Sequence, residues 1–258
     1  MEVTVLGKSP SWQDADGACS GYLVEDGDVR VLLDCGNGVF GKLRRFRDYA
    51  TVDAVVISHL HADHFLDLVP FSYALTYGPR AQASADPPRP VLHAPEGARD
   101  VFRRVVGAWG SEDLVERAFD VQEYRPDDVV HIGPLSVRFQ LVPHFTRTHA
   151  VDVTSAREGG GRLTFGADSA PSDDLWTFAR DTDLLIVEAT LPEPEPEGER
   201  GHMTAAEAGA GGREARARRI VLTHLTDELD AGHARAEAER AFGGPVEIAR
   251  EGAVYTLP

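Results

Sequence analysis

A layered α/β or α+β fold, with helices packed on sheets, is what this sequence predicts, and three observations carry the prediction. Short β-branched runs alternate with helix-spaced patterns from end to end, and some strands follow one another directly. No linker is long enough to separate independent domains, so residues 1–258 read as one domain. One pattern also occurs twice: Val55-Val56-Ile57-Ser58-His59-Leu60 and Ile220-Val221-Leu222-Thr223-His224-Leu225 each run an apolar strand into a hydroxyl residue, His and Leu. The echo suggests two sheets whose strand ends deliver histidines to one place.

The elements follow in order. Strands are expected at Val3–Leu6, Gly21–Val24, Val29–Asp34, Ala54–Ile57, Val91–His93, Asp128–Ile132, Leu135–Val142, Arg162–Phe165, Leu184–Glu188 and Ile220–Thr223, with a last pair near Val246–Ile248 and Ala253–Thr256. Helices are expected at Val39–Arg47, Phe65–Tyr77, Glu96–Trp109, Ser172–Arg180, Ala205–Arg216 and His233–Phe242. The fifth start is marked by a capping box, Thr204 as N-cap and Glu207 reaching back. Gly78–Pro90 and the run PEPEPEGERG at Pro192–Gly201 read as surface loops, because proline removes a backbone donor and fixes φ.

Composition excludes several classes. No apolar run approaches 18 residues, so no membrane span is expected. The opening MEVTVLG enters a strand at once and leaves no room for a signal peptide, and two cysteines are too few for a disulfide framework, so cytoplasm is expected. The net charge of −16 argues against a long nucleic acid as partner, since polyanion binding needs a basic stripe to release counterions. Lys42–Arg47 and Arg213–Arg219 read instead as solvated helix faces.

The sharpest feature is His59-x-His61-x-Asp63-His64, at the junction of a strand and a helix. Imidazole and carboxylate suit zinc, iron and manganese. Four donors in six residues crowd a single tetrahedral ion and are better shared between two. His144, Asp168 and His224 each follow an expected strand, where the same site can recruit them. Asp67 reads as a solvated helix residue, His93, His131 and His233 as structural, and Cys35 as a small buried residue.

With VTVLG, VLLDCGNG, SHLHADH, the His144 segment, FGADSAP, LLIVEAT, GHMTAAEAG and VLTHL, nearly the whole chain resembles the metallo-β-lactamase fold hydrolases, in their ribonuclease Z-like branch. The resemblance implies an αββα four-layer sandwich, formed by internal duplication, with two metals at one edge. It implies His59, His61 and His144 on one divalent ion, Asp63, His64 and His224 on the other, and Asp168 bridging both. Zinc is the first choice, with manganese or iron also suited. It further implies His202 as proton donor to the leaving group and Asp63 as orienter or base for a metal-activated water. Asp34 is expected behind a ligand imidazole, or else as a tight-turn aspartate.

Two positions depart from the branch. Ala167-Asp168-Ser169 replaces Gly-Asp-Thr, and His149-Ala150 stands where an aromatic is usual, which assigns His149 to substrate contact or to packing. Transfer-RNA-processing members carry a Gly/Pro-rich arm between the equivalents of His144 and Asp168; here only 23 residues lie between them, including a strand and the turn Glu158–Gly161. The expected function is therefore a dinuclear phosphodiesterase acting on small phosphodiesters, with cyclic nucleotides such as cAMP foremost. Ribonuclease Z-like cleavage of RNA 3′ ends, and hydrolysis of esters, lactones or sulfates, are the alternatives. The branch is often dimeric, so a homodimer is compatible. Ser9–Gly21, Gly78–Pro90 and Pro192–Gly201 are the candidate pocket walls.

Overall fold

The computed structural model describes residues 1–195 and 198–258. Alternation in the first strands decides which face each residue buries. In β1 (Glu2–Gly7), β2 (Gly21–Asp26) and β3 (Val29–Leu33), an antiparallel meander, Val3, Val5, Tyr22, Val24, Val31 and Leu33 face one core while Leu6, Leu23 and Leu32 face another. Helix α1 (Val39–Phe46) then leads to β4 (Ala54–Val56), and α2 (Ala62–Phe65), α3 (Leu68–Tyr77) and α4 (Pro79–Ala83) lead to β5 (Val91–Pro95). Helices α5 (Ala98–Gly107) and α6 (Leu114–Ala118) lead to β6 (Asp120–Tyr124), and β3 to β6 run parallel.

The second sheet begins with the antiparallel strands β7 (Val129–Ile132), β8 (Leu135–Val142), β9 (Thr148–Ser155) and β10 (Arg162–Phe165). It continues through α7 (Asp173–Phe178), β11 (Leu184–Glu188), α8 (Ala205–Glu214), β12 (Ile220–Thr223), α9 (Ala231–Phe242) and β13 (Glu247–Ile248) in parallel, while β14 (Val254–Thr256) returns to the first sheet. The orders are β14-β1-β2-β3-β4-β5-β6 and β13-β12-β11-β10-β9-β8-β7. One core lies between the sheets, and one lies on the outer face of each, under its own helices. That is the αββα sandwich. Strands buried on both faces explain why β4 is apolar throughout and β12 is apolar up to Thr223.

Several expectations need correction. β6 was not anticipated, because DVQEY is a mostly exposed edge strand. Nor was β9, whose buried residues include Thr148, His149, Asp152 and Ser155 and so give no apolar run. The expected helix Phe65–Tyr77 is two helices, since the Asp67 N–H donates across to Cys35 O at 3.0 Å instead of up its own helix. Gly78–Pro90 contains α4, with Pro79 in its first turn, where no donor is lost. The capping box at Thr204 and Glu207 is present in both directions. Of the Pro192–Gly201 loop, positions 196 and 197 lie outside the described residues; the others form neither helix nor strand. No helix among the described residues is long and apolar enough to cross a membrane.

Candidate metal centre

The ends of five strands supply the site. His59 and His61 follow β4, and Asp63 and His64 ride on the single turn of α2. His144 follows β8, Asp168 follows β10, Glu188 ends β11 and His224 follows β12. Three residues here turn the chain through the left-handed region: Asp34 at φ 56°, Ala167 at φ 53° and His224 at φ 56°. Such backbone is uncommon for a residue with a β-carbon, and it marks sites where geometry outranks local preference. Ala167 therefore accepts a conformation that the branch's glycine adopts freely.

The expected donors form two groups that share one carboxylate. Ligand atoms of His59, His61, His144 and Asp168 lie within 4.8 Å of one another, as do those of Asp63, His64, Asp168 and His224. Within them His144 Nε2 is 3.0 Å from His61 Nδ1, and His64 Nε2 and His224 Nε2 each stand 3.3 Å from an Asp168 oxygen. His224 Nε2 is also 3.3 Å from Asp63 Oδ2, and His59 Nε2 is 3.8 Å from Asp168 Oδ2. Two ligands bonded at about 2.0–2.2 Å to a tetrahedral ion stand roughly 3.3–3.6 Å apart, and the distances here, 3.0–3.8 Å, bracket that spacing. Among the described residues, His59 Nε2 and His64 Nε2 are buried without a hydrogen-bond partner, a costly state for polar atoms unless a cation takes their lone pairs. The clusters fit a dinuclear metal site.

Two buried carboxylates, one at the end of a strand in each sheet, orient the imidazoles. Asp34 Oδ2 accepts from His64 Nδ1 at 2.6 Å and from Ser58 Oγ at 3.0 Å, and Ser58 Oγ is 3.1 Å from His59 Nδ1. Glu188 Oε1 accepts from His202 Nδ1 at 2.9 Å, while Glu188 Oε2 accepts from Thr190 Oγ1 at 2.6 Å. Thr190 Oγ1 in turn receives His224 Nδ1 at 2.7 Å. Each acid thus fixes one imidazole directly and a second through a hydroxyl, which sets tautomer and ring angle. His144 Nδ1 donates to Gly201 O at 2.7 Å, so the strap before α8 is tied to the metal edge. Glu188 and Thr190 were missed in the sequence; LLIVEAT carried them, but nothing local tells a buried acid from a turn residue.

Charge follows burial. Burial holds the His59 imidazole well below its usual range, neutral as a ligand must be. Burial pulls His64 the same way, but the Asp168 and Asp34 carboxylates outweigh it and raise it. Burial would raise Asp168, yet His224, His64 and His59 keep it well below the usual carboxylate range. For His202, burial is overcome by Glu188, and its pKa is raised.

Two further expectations change. Asp67 is not a solvated helix residue: it is partly buried, and its Oδ2 accepts from Phe40 N at 2.9 Å, capping the start of α1. His149 is fully buried at 0% exposure with its ring edge-on to Tyr124 at 5.1 Å, which fits packing, the second of its two expected roles, and not substrate contact. Burial pushes its pKa down to about 4.

A family profile described as a beta-lactamase superfamily domain matches residues 29–225. The probable metallo-hydrolase YhfI of Bacillus subtilis is 31% identical over 99% of both chains. Its crystal structure superposes with a TM-score of 0.85 at 29% identity, covering 98% of each. Ribonuclease Z of Myxococcus xanthus is 30% identical over an alignment of 310 residues that spans 100% of this chain and 98% of its own. Human tRNase Z, short form, covers all of both chains at 21% identity and TM-score 0.75, a likeness of fold.

Proposed function

This chain belongs to the beta-lactamase superfamily, in its ribonuclease Z-like branch, and is a metallo-hydrolase; on that premise we propose that it is a dinuclear phosphodiesterase acting on small phosphodiesters, 3′,5′- and 2′,3′-cyclic nucleotides foremost. The observation that carries this reading is the Glu188–His202 pair beside two donor clusters that share Asp168. A site that only bound metal would have no need of a further imidazole, outside both clusters, held at its edge by a buried acid.

In this reading His59, His61, His144 and Asp168 hold one divalent cation, and Asp63, His64, His224 and Asp168 the other, with zinc first and manganese or iron also fitting. Such a pair, when bound, lowers the pKa of water and neutralises charge on a phosphoryl group. Asp63, buried between His64 and His224, orients the attacking water. His202 commits Nδ1 to Glu188, which leaves Nε2 as the nitrogen that carries a proton to the departing alkoxide. Glu188 then stabilises the imidazolium that delivers it. A positioned donor of this kind contributes about 10²–10⁴-fold.

Two observations support a small substrate. Between His144 and Asp168 the chain makes only the β9–β10 hairpin. The ribonuclease Z alignment runs over 310 residues against 258 in this chain, so that relative carries insertions absent here. The two buried free cysteines support a reducing compartment such as the cytoplasm.

The test is hydrolysis of bis(p-nitrophenyl) phosphate with Zn²⁺ or Mn²⁺, beside cyclic nucleotides, a lactone and an RNA with a 3′ extension. Turnover of the phosphodiesters but not the lactone is expected. Cleavage confined to the RNA would select the ribonuclease Z reading, and turnover confined to the lactone would overturn phosphodiester chemistry altogether.

A further inference from the structure

We propose that Phe145 is the platform on which the departing part of the substrate stacks, and that this part carries a planar aromatic ring such as a nucleobase; the proposal rests on the phosphodiesterase reading. Phe145 follows His144 directly and is 51% exposed. Among the described residues it is the exposed aromatic whose ring lies against site histidines, 5.2 Å from the His144 centroid and 5.8 Å from that of His202. It belongs to none of the three loops that the sequence offers as pocket walls.

The ring is seated on purpose. It lies on the backbone of Gly201, where an added β-carbon would come within 2.6 Å of Cδ2 and 2.7 Å of Cζ. Gly201 O is the acceptor of His144 Nδ1, and His202 is the next residue. One side of Phe145 is therefore fixed against the strap that carries the proton donor, while half of its surface remains open.

Direction then identifies what the open side meets. The attacking water and the departing oxygen lie on opposite sides of the phosphorus in an in-line displacement. The departing oxygen must reach His202 to take a proton, so whatever it carries passes over Phe145. A flat, apolar, half-open face recognises another flat face, and the absence of charge on Phe145 makes the contact tolerant of base identity. A nucleoside and a simple aryl group share this chemistry.

The experiment compares adenosine 5′-monophosphate with ribose 5-phosphate, which lacks the base, by calorimetry on the metal-loaded protein. The native chain is expected to bind the nucleotide about tenfold more tightly, within the span of base–aromatic stacking. Phe145→Leu should erase that ratio and Phe145→Trp should keep it. An unchanged ratio in Phe145→Leu overturns the proposal. So does an equal loss for both ligands, which would make Phe145 only a prop for Gly201. If the native chain leaves bis(p-nitrophenyl) phosphate intact, the phosphodiesterase reading itself has failed and the platform falls with it. Phenyl phosphate as a third ligand separates an aryl preference from a nucleoside one.

Discussion

Gly36 and Asp63 touch through their backbones, and no side chain fits between them: a β-carbon at position 36 would overlap the Asp63 carbonyl, standing 2.7 Å from its carbon and 2.9 Å from Cys19 Cβ. The neighbouring Cys35 N–H donates to His64 O at 2.7 Å, so the loop after β3 is joined to the helical turn that carries two donors. Gly36→Ala must displace that turn. We expect it to cost about 1–3 kcal/mol, as overpacking does, and to lower bound metal. Full metal content with an unshifted denaturation midpoint would contradict the contact.

His202→Ala is expected to reduce turnover of alkyl phosphodiesters by about 10²–10⁴-fold while metal content stays at the native level. The loss should be much smaller with p-nitrophenyl esters, whose leaving group needs no proton. Glu188→Gln should lower both turnover and bound metal, because one amide oxygen cannot accept from His202 and also from the Thr190 hydroxyl that orients His224. Metal loss in His202→Ala would show that it is a ligand and not a proton donor.

Removing metal should also destabilise the fold. Ligand binding at about 1,000 times Kd contributes roughly 4 kcal/mol. For a chain of this size each kcal/mol moves Tm by about 2–4 °C. Chelation is therefore expected to lower Tm by on the order of 10 °C, and Asp168→Ala, which removes the shared carboxylate, to reproduce that shift without chelator. Thermal melts with metal analysis decide it; equal melting with and without chelator would count against a built site.

Asp67→Ala should cost about 1 kcal/mol, the usual value of a helix cap, because Phe40 N–H loses its acceptor. Asp67→Asn keeps an oxygen there and should cost less. Neither should change metal content, since Asp67 belongs to neither donor group.

Ala167→Val tests the strained turn before Asp168. A left-handed residue costs about 1–2 kcal/mol beyond glycine, and a β-branched one more. Valine should lower both stability and bound metal. Glycine should stay close to native, because relief of strain offsets the lost methyl, about 0.8 kcal/mol. A valine variant as stable as the native chain would mean that this φ is not held.

What could be read from the chain alone was whatever is local or periodic. Layered sheets and helices followed from runs whose faces alternate, as Val31 and Leu33 do against Leu32, while the αββα order came from the family resemblance. The donors of His59–His64 were visible because four of them fall within six residues. His144, Asp168 and His224 were visible because each stands at a strand end, and parallel strands in one sheet deliver their ends to one edge.

The tertiary structure decided what depends on contacts between distant residues. It tied His224 to Glu188 through Thr190, set Phe145 on Gly201, moved Asp67 from solvent to the start of α1, and buried His149 against Tyr124. None of these has a signature in spacing. An acid that orients an imidazole and an acid in a turn look identical until the sheets close, because the difference lies in which buried donor each must satisfy. The sequence by itself determined the layers and the residue types suited to metal; only the folded chain decided which groups hold those side chains in place.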